Sequence, residues 1–477
     1  MTHGSSSSRP GEVALSQQLL AAAQAIQGVL AGRSLSDTLE QAPAVLRPGA
    51  QALAFHAMRQ LGFAQTARTI LAPRRPPDRL TEALLLLGLS LLEASLRQAE
   101  GAAPAPGTPI YTAHTLVHQM VQAAQSHRKT RPAKALVNAV LRRYGRERAA
   151  LSGQILSQPL ARWNHPDWWV AALRQAWPQQ WQAILQAADQ PPPLTLRVNT
   201  RQLSRDDLLA RLRQAGIAAR PVAGAGLILA RACPVRDIPG FEQGWWSVQD
   251  ASAQRAGELL PLQDGMRVLD ACAAPGGKTA HLLERHTLSL TALDSDARRL
   301  ARVADNLRRL RLTPAADAAP SPQPRPPTPP RPPQPTPGAD SPSRPAGSAV
   351  RLCCADAADP AGWWDGQPFD AILADVPCTA SGVVRRHPDI RWLRRADDVA
   401  RTAALQARIV DALWPLLAPG GHLLYATCSI FPQEGEQQIQ AFLRRHPDAR
   451  RQDAPGQILP GGPDQGDGFF YALMRKS

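Results

Sequence analysis

Two cysteines and an aspartate are the residues best placed to do chemistry. Asp375, Pro377 and Cys378 close an apolar run in ILADVPCTASGVVRRHPDIRW, and Cys428 closes another in HLLYATCSIFPQEGE. Either cysteine alone reads as a small buried hydrophobe. Both runs predict strands, however, and the loops beyond strand carboxyl ends are where open α/β sheets hold their ligands. Two thiols and a carboxylate together suit a reaction at a pyrimidine. C5 of that ring is a poor nucleophile toward a methylsulfonium until a thiolate adds to C6. One cysteine as nucleophile, an aspartate at N3 and a second thiol assisting release account for all three groups. A nucleophilic thiol needs a basic pocket to ionise near neutrality, and Arg385, Arg386 and Lys278 are candidates for that field.

A cofactor cradle precedes them. VLDACAAPGGKTAHLLE, residues 268–284, predicts a strand, a glycine-bearing turn and a helix opening near Lys278. A Walker A loop would need glycine where Cys272 stands, and the dinucleotide pattern GxGxxG is absent. The turn Cys272, Ala273, Ala274, Pro275, Gly276, Gly277 and Lys278 instead suits a small ligand without a pyrophosphate. Asp294 ends the next predicted strand, where a carboxylate can accept from a ribose diol. Asp356, after the third strand, is placed to meet an adenine or an amino group. An S-adenosylmethionine pocket fits these features best. Lys278 adds weight, because only four of the 54 basic side chains are lysines.

The elements that must position these residues follow from periodicity. Strands are expected at 266–270, 288–294, 349–354, 369–375 and 422–427, alternating with helical patterns. That is the signature of an α/β fold, a Rossmann-like doubly wound domain over residues 261–477. Residues 313–347 interrupt it with a proline-rich insertion, expected to be extended and disordered; fourteen prolines fall within 314–345. Residues 1–150 carry apolar positions at three-and-four spacing and predict an all-helical domain. Residues 151–260 predict a small α/β module. It opens on a stretch with five of the chain's eleven tryptophans, read as aromatics wedged between domains. A strand follows near 191–200, then a helix capped by Ser204 and Asp207.

Composition narrows the function classes. The 477 residues carry 54 Lys+Arg against 39 Asp+Glu, a formal charge of +15 that attracts polyanions. The longest apolar stretch, residues 83–92, is too short to span a bilayer, and the polar N-terminus does not resemble a signal peptide. Six cysteines with no CxxC spacing argue against a disulfide scaffold or zinc module and predict no metal. The expectation is a soluble, cytoplasmic, monomeric protein. Residues 1–150 hold 17 cations and 8 anions, and residues 128–148 hold eight cations with one anion, Glu147. That density points to nucleic acid.

These motifs resemble RNA cytosine-5 methyltransferases of the NOL/Sun family. DACAAPGGKT, DVPCTASGVVRRHPDIRW and YATCSIFPQEGE match in order and spacing; RVNT at 197–200 and SVQDASAQ at 247–254 resemble the preceding signatures. The helical N-terminus resembles the NusB-like RNA-binding domain of the bacterial 16S rRNA members, the RsmB (Sun/Fmu) type. The resemblance implies Cys428 as nucleophile, Cys378 as promoter of release and a cofactor pocket over Cys272 to Lys278, Asp294, Asp356 and Asp375. It also implies 16S rRNA, free or in an early assembly state, as partner. The chain departs from the family at Val376, where alanine is usual, and at Gly435, where asparagine is common. Two other readings remain: a DNA-type cytosine methyltransferase using Cys378 as nucleophile, and a non-catalytic RNA-binding assembly factor.

Overall fold

The computed structural model describes residues 13–105, 107–312, 348–461 and 465–477; the proline-rich insertion at 313–347 lies outside them. Ten helices come first: α1 (Leu15–Leu30), α2 (Leu35–Glu40), α3 (Arg47–Arg59), α4 (Leu61–Leu71), α5 (Arg79–Ala99), α6 (Ala113–Ser126), α7 (Lys134–Leu156), α8 (Pro159–Trp163), α9 (Asp167–Ala176) and α10 (Trp181–Ala188). Next are β1 (Thr195–Val198), α11 (Arg205–Gln214), β2 (Ala219–Pro221), β3 (Gly226–Leu229), β4 (Trp246–Val248), α12 (Ala251–Gln254) and α13 (Ala256–Leu259). The remainder alternates: β5 (Arg267–Ala271), α14 (Gly277–Arg285), β6 (Ser289–Asp294), α15 (Ala297–Arg309), β7 (Ala349–Cys354), β8 (Phe369–Asp375), α16 (Ile390–Leu393), α17 (Ala396–Leu413), β9 (Leu417–Thr427), α18 (Glu436–Arg445), β10 (Ala449–Ile458) and β11 (Phe469–Lys476).

The chain packs as two units. One is Met1–Pro192 with Val383–Ala396; the other is Pro193–Gly382 with Asp397–Ser477. Packing therefore parts the chain near 192, within the stretch 151–260 expected to form one module. Residues 151–192, with the tryptophans, pack on the helical side, and Trp169 is buried there. No helix of the described residues is long and apolar enough to cross a membrane.

The first unit is built around α5. Asp78 caps that helix by accepting from the N–H groups of Leu80 and Thr81. Its apolar run is buried on every side, Leu84, Leu85, Leu87, Leu89 and Leu91 being fully inaccessible. A hydrophobic stretch too short for a bilayer is thus the central helix of a bundle, with α1, α3, α4, α6 and α7 around it. Gly88 permits the approach, because a Cβ there would lie 3.0 Å from Leu141 and 3.2 Å from Met120. Residues 383–396 complete this unit. Asp389 Oδ2 accepts from the Leu35 N–H at 2.9 Å, and the buried Arg391 donates to Asp189 at 2.5 Å and to the Ala188 carbonyl at 2.7 Å.

The second unit holds two sheets. The smaller is antiparallel in the order β2-β3-β1-β4, with Leu208 and Leu212 of α11 packed on Leu196, Val198 and Trp246. The Ser204–Asp207 capping box forms as the spacing predicts. The larger has seven strands in the order β10-β11-β9-β8-β5-β6-β7, parallel except for β10 and β11. All five expected strands are present, so the α/β, Rossmann-like doubly wound architecture holds. The order reverses at β5 and β8, whose carboxyl ends flank the crevice where such sheets bind ligands. The C-terminal β10–β11 hairpin was not among the expected strands.

Candidate active site

The turn between β5 and α14 is fixed by its own backbone and by β6. Cys272 and Gly276 take positive φ values of 63° and 93°. A Cβ on Gly276 would come within 2.9 Å of Val303 Cγ1 and 3.1 Å of its Cα, so only glycine fits. The Ala273 N–H donates to the Leu293 carbonyl at 2.8 Å, and the Ala274 N–H to Asp294 Oδ2 at 3.1 Å. Asp294 Oδ1 accepts from the Asp296 N–H at 3.1 Å and also lies 3.7 Å from an Arg299 guanidinium nitrogen, so each oxygen accepts one hydrogen bond and has a lone pair beyond it. Asp356 is exposed past β7 and accepts from the Ala358 N–H at 2.9 Å. Below the turn, Thr279 donates to the fully buried Asp270 at 2.6 Å; burial above all pushes that carboxyl up to about 7. Burial, with Asp375 and Asp294 nearby, raises the Cys272 thiol too, so it is poorly suited to act as a thiolate.

The two other cysteines meet. Asp375 pairs in register with Ala426, so the loops leaving β8 and β9 start side by side. They bring Cys378 Sγ to 3.4 Å from Cys428 Sγ. The hydrogen bond to Cys428 and then burial raise the Cys378 thiol well above its ordinary value; the charges of Cys428 and Glu434 add to this and the Ala380 N–H opposes it. Lys278 donates to Asp375 Oδ2 at 2.5 Å and sits 5.4 Å from the Phe469 ring centroid. Burial pulls the Lys278 ammonium down, but Asp375, Cys428 and Asp270 outweigh it and the net shift is upward. Expected in the cofactor turn, Lys278 thus also reaches the thiol side. Arg385 and Arg386 belong to the other packing unit, where the Arg385 carbonyl accepts from Arg59 at 2.9 Å.

Two groups were missed by sequence reasoning. Glu434 is fully buried behind the thiols, inside the quoted motif PQEGE, and no local pattern marks its carboxylate as inward. Arg197, in RVNT, is also fully buried. It donates to both carboxylate oxygens of Glu284 on α14 at 2.7 Å and to the Gly277 carbonyl at 2.6 Å. A third partner is Gln249 Oε1. One guanidinium therefore ties the small sheet to the first and last turns of the helix that opens the cradle. Removing it leaves the Glu284 carboxylate buried without its partner. Arg197→Met is expected to destabilise the protein by about 3–5 kcal/mol, read as a lower melting temperature. An unchanged melting curve would show that the pair does not hold the helix.

The 16S rRNA methyltransferase RsmB/F family matches residues 258–319 and 343–475, and the ferredoxin-like domain of RsmF/B-like methyltransferases matches residues 165–236. The ribosomal RNA small subunit methyltransferase B of Vibrio cholerae is 41% identical over 471 residues, covering 96% of either chain. A methyltransferase homolog from Pyrococcus horikoshii, solved by crystallography, covers 67% of this chain and 97% of its own at 27% identity and a TM-score of 0.51. The crystal structure of PH0851 shares the fold over 98% of this chain and 100% of its own, with a TM-score of 0.70 at 20% identity.

Proposed function

Because this chain belongs to the RsmB/F family of 16S rRNA methyltransferases and is an S-adenosylmethionine-dependent methyltransferase, we propose that it methylates C5 of a cytosine in 16S rRNA through a covalent cysteine intermediate. The observation that carries this reading is the 3.4 Å separation of Cys378 and Cys428 beside Asp375 and Lys278. A reaction needing one thiol would not require a second at contact distance.

S-adenosylmethionine, when bound, supplies the methyl group. Cys272, Ala273, Ala274, Pro275, Gly276, Gly277 and Lys278 would hold it, with Asp294 accepting from the ribose and Asp356 meeting the adenine amino group. The free lone pairs on Asp294 and the tight glycine turn support this fit. The Cys428 thiolate adds to C6 of the cytosine, forming an S–C bond and moving electron density toward C5. Asp375, beside the Lys278 ammonium, serves the N3 proton that makes this addition easier. After C5 is methylated a base takes its proton, that C–H pair re-forms the C5–C6 double bond, and the S–C bond breaks with its pair returning to the Cys428 sulfur; Cys378 assists this release.

The helical residues 1–150 are read as the NusB-like RNA-binding part, and 16S rRNA as the partner. Bisulfite sequencing of 16S rRNA from a deletion strain tests the function. One protected cytosine should become convertible and regain protection when the chain is restored. Identical conversion with and without the chain would overturn the reading.

A further inference from the structure

Behind the thiols, the carboxylate of Glu434 accepts five hydrogen bonds among the described residues. Oε1 takes the Thr379 N–H at 2.8 Å, Thr402 Oγ1 at 2.6 Å and Gln406 Nε2 at 3.3 Å. Oε2 takes Thr379 Oγ1 at 2.5 Å and Ser429 Oγ at 2.6 Å. Thr379 follows Cys378 directly and Ser429 follows Cys428 directly. Thr402 and Gln406 belong to α17, and Gln406 also donates to the Pro377 carbonyl at 2.8 Å. Tyr425 closes the cluster, its single O–H shared between Gln406 Oε1 at 3.0 Å and the Glu434 carbonyl at 2.9 Å.

We propose that Glu434 is the positioning residue of this site, tying together the two loops that carry the thiols and setting a negative charge on the Cys378 side. The proposal rests on the reading above that both thiols work at one ring. A carboxylate is the side chain that can accept from five donors at once, whereas an amide in its place must turn two donors toward two hydroxyls. A buried acceptor with this many partners leaves its donors unsatisfied when removed, so both loops would move. The charge has a second consequence. The titratable groups facing Cys378 are Cys428, Glu434 and Tyr425, and Glu434 contributes to raising both Cys378 and Tyr425. The cation of the site, Lys278, is coupled instead to Cys428. The pocket is therefore polarised, with the Lys278 ammonium on the Cys428 side and the Glu434 carboxylate on the Cys378 side.

Two substitutions separate reach from charge. Glu434→Gln keeps the length and removes the charge; Glu434→Asp keeps the charge and shortens the reach. The single-turnover rate of RNA methylation should fall about tenfold or more in both, since losing buried bonds to the carboxylate lets both thiol loops shift. The affinity for S-adenosylmethionine should be unchanged in both. The pH midpoint for alkylation of Cys378 by iodoacetamide, followed by peptide mass spectrometry, should drop by about one in Glu434→Gln and stay in Glu434→Asp. A wild-type rate in either variant, or an unmoved Cys378 midpoint in Glu434→Gln, would overturn the proposal. If Glu434→Gln does not fold, Thr402→Val removes a single donor from the far side of the carboxylate. A severalfold loss of rate at unchanged melting temperature then supports the proposal, and no loss overturns it. The alkylation arm needs no RNA, so it answers whether or not Cys378 proves to act in product release.

Discussion

Cys428→Ala should abolish methyl transfer and leave no covalent RNA adduct, whereas Cys378→Ala should leave the protein trapped on its RNA. The expected loss in the first variant exceeds about a thousandfold, the scale on which removing a nucleophile acts when the rest of a site remains. Without the Cys428 sulfur there is no addition across the C5–C6 double bond at C6, and C5 stays inert toward a sulfonium. Without Cys378 the addition still proceeds, because Lys278, Asp375 and the β9 loop are untouched. What fails is the release of Cys428 from C6, so the adduct accumulates. Denaturing gels of both variants with substrate RNA and S-adenosylmethionine separate the roles. An adduct from Cys428→Ala and none from Cys378→Ala would exchange them, and would return the reading in which Cys378 is the nucleophile.

Charge reversal of Arg128, Lys129, Arg131 and Lys134 should cut RNA affinity and flatten its dependence on salt. All four side chains are exposed at the end of α6 and the start of α7. Of the four, Arg131 donates to the exposed Gln125 carbonyl at 3.1 Å, whereas others of the basic run are tied into the bundle. Arg143 donates to the Leu71 carbonyl at 3.2 Å and pairs with Glu147 at 2.9 Å; Arg148 is bound to Glu93 and Glu100 at 2.6 and 2.5 Å. Reversing those would damage the bundle before it tested the interface. Each phosphate contact to single-stranded RNA contributes about 0.7 to the slope of log K against log salt, so four lost contacts should remove about three units. Cofactor affinity should not change, because the cradle belongs to the other packing unit. A wild-type slope in the fourfold variant would reduce the basic run to a solvated helix surface.

The chemistry was legible in the sequence wherever it depended on neighbours along the chain. Apolar runs ending at Asp270, Asp294, Asp375 and Thr427 announced strands of the large sheet, and Ser204 with Asp207 announced a helix start. Each is a property of a few adjacent side chains. The hairpin β10–β11 was illegible because β10 is an edge strand: half of ARRQDAPGQI is exposed and one residue is buried, and a bulge between Gln452 and Gly456 accommodates its proline and glycine. The motif after Cys378 also divided in a way no pattern could reveal. Residues 372–382 go to the site's unit, whereas 383–396 become a buried strut of the helical unit through Asp389 and Arg391. Residue types and spacing thus determined which groups are the candidates and which strands deliver them. The folded chain alone decided that the thiols stand 3.4 Å apart, that Lys278 pairs with Asp375, that Arg197 reaches Glu284, and that Glu434 accepts from Thr379 and Ser429 of the two thiol loops. The reason is range: strand propensity is set by adjacent residues, whereas a buried carboxylate finds its donors at positions 379, 402, 406 and 429, which only tertiary packing brings together.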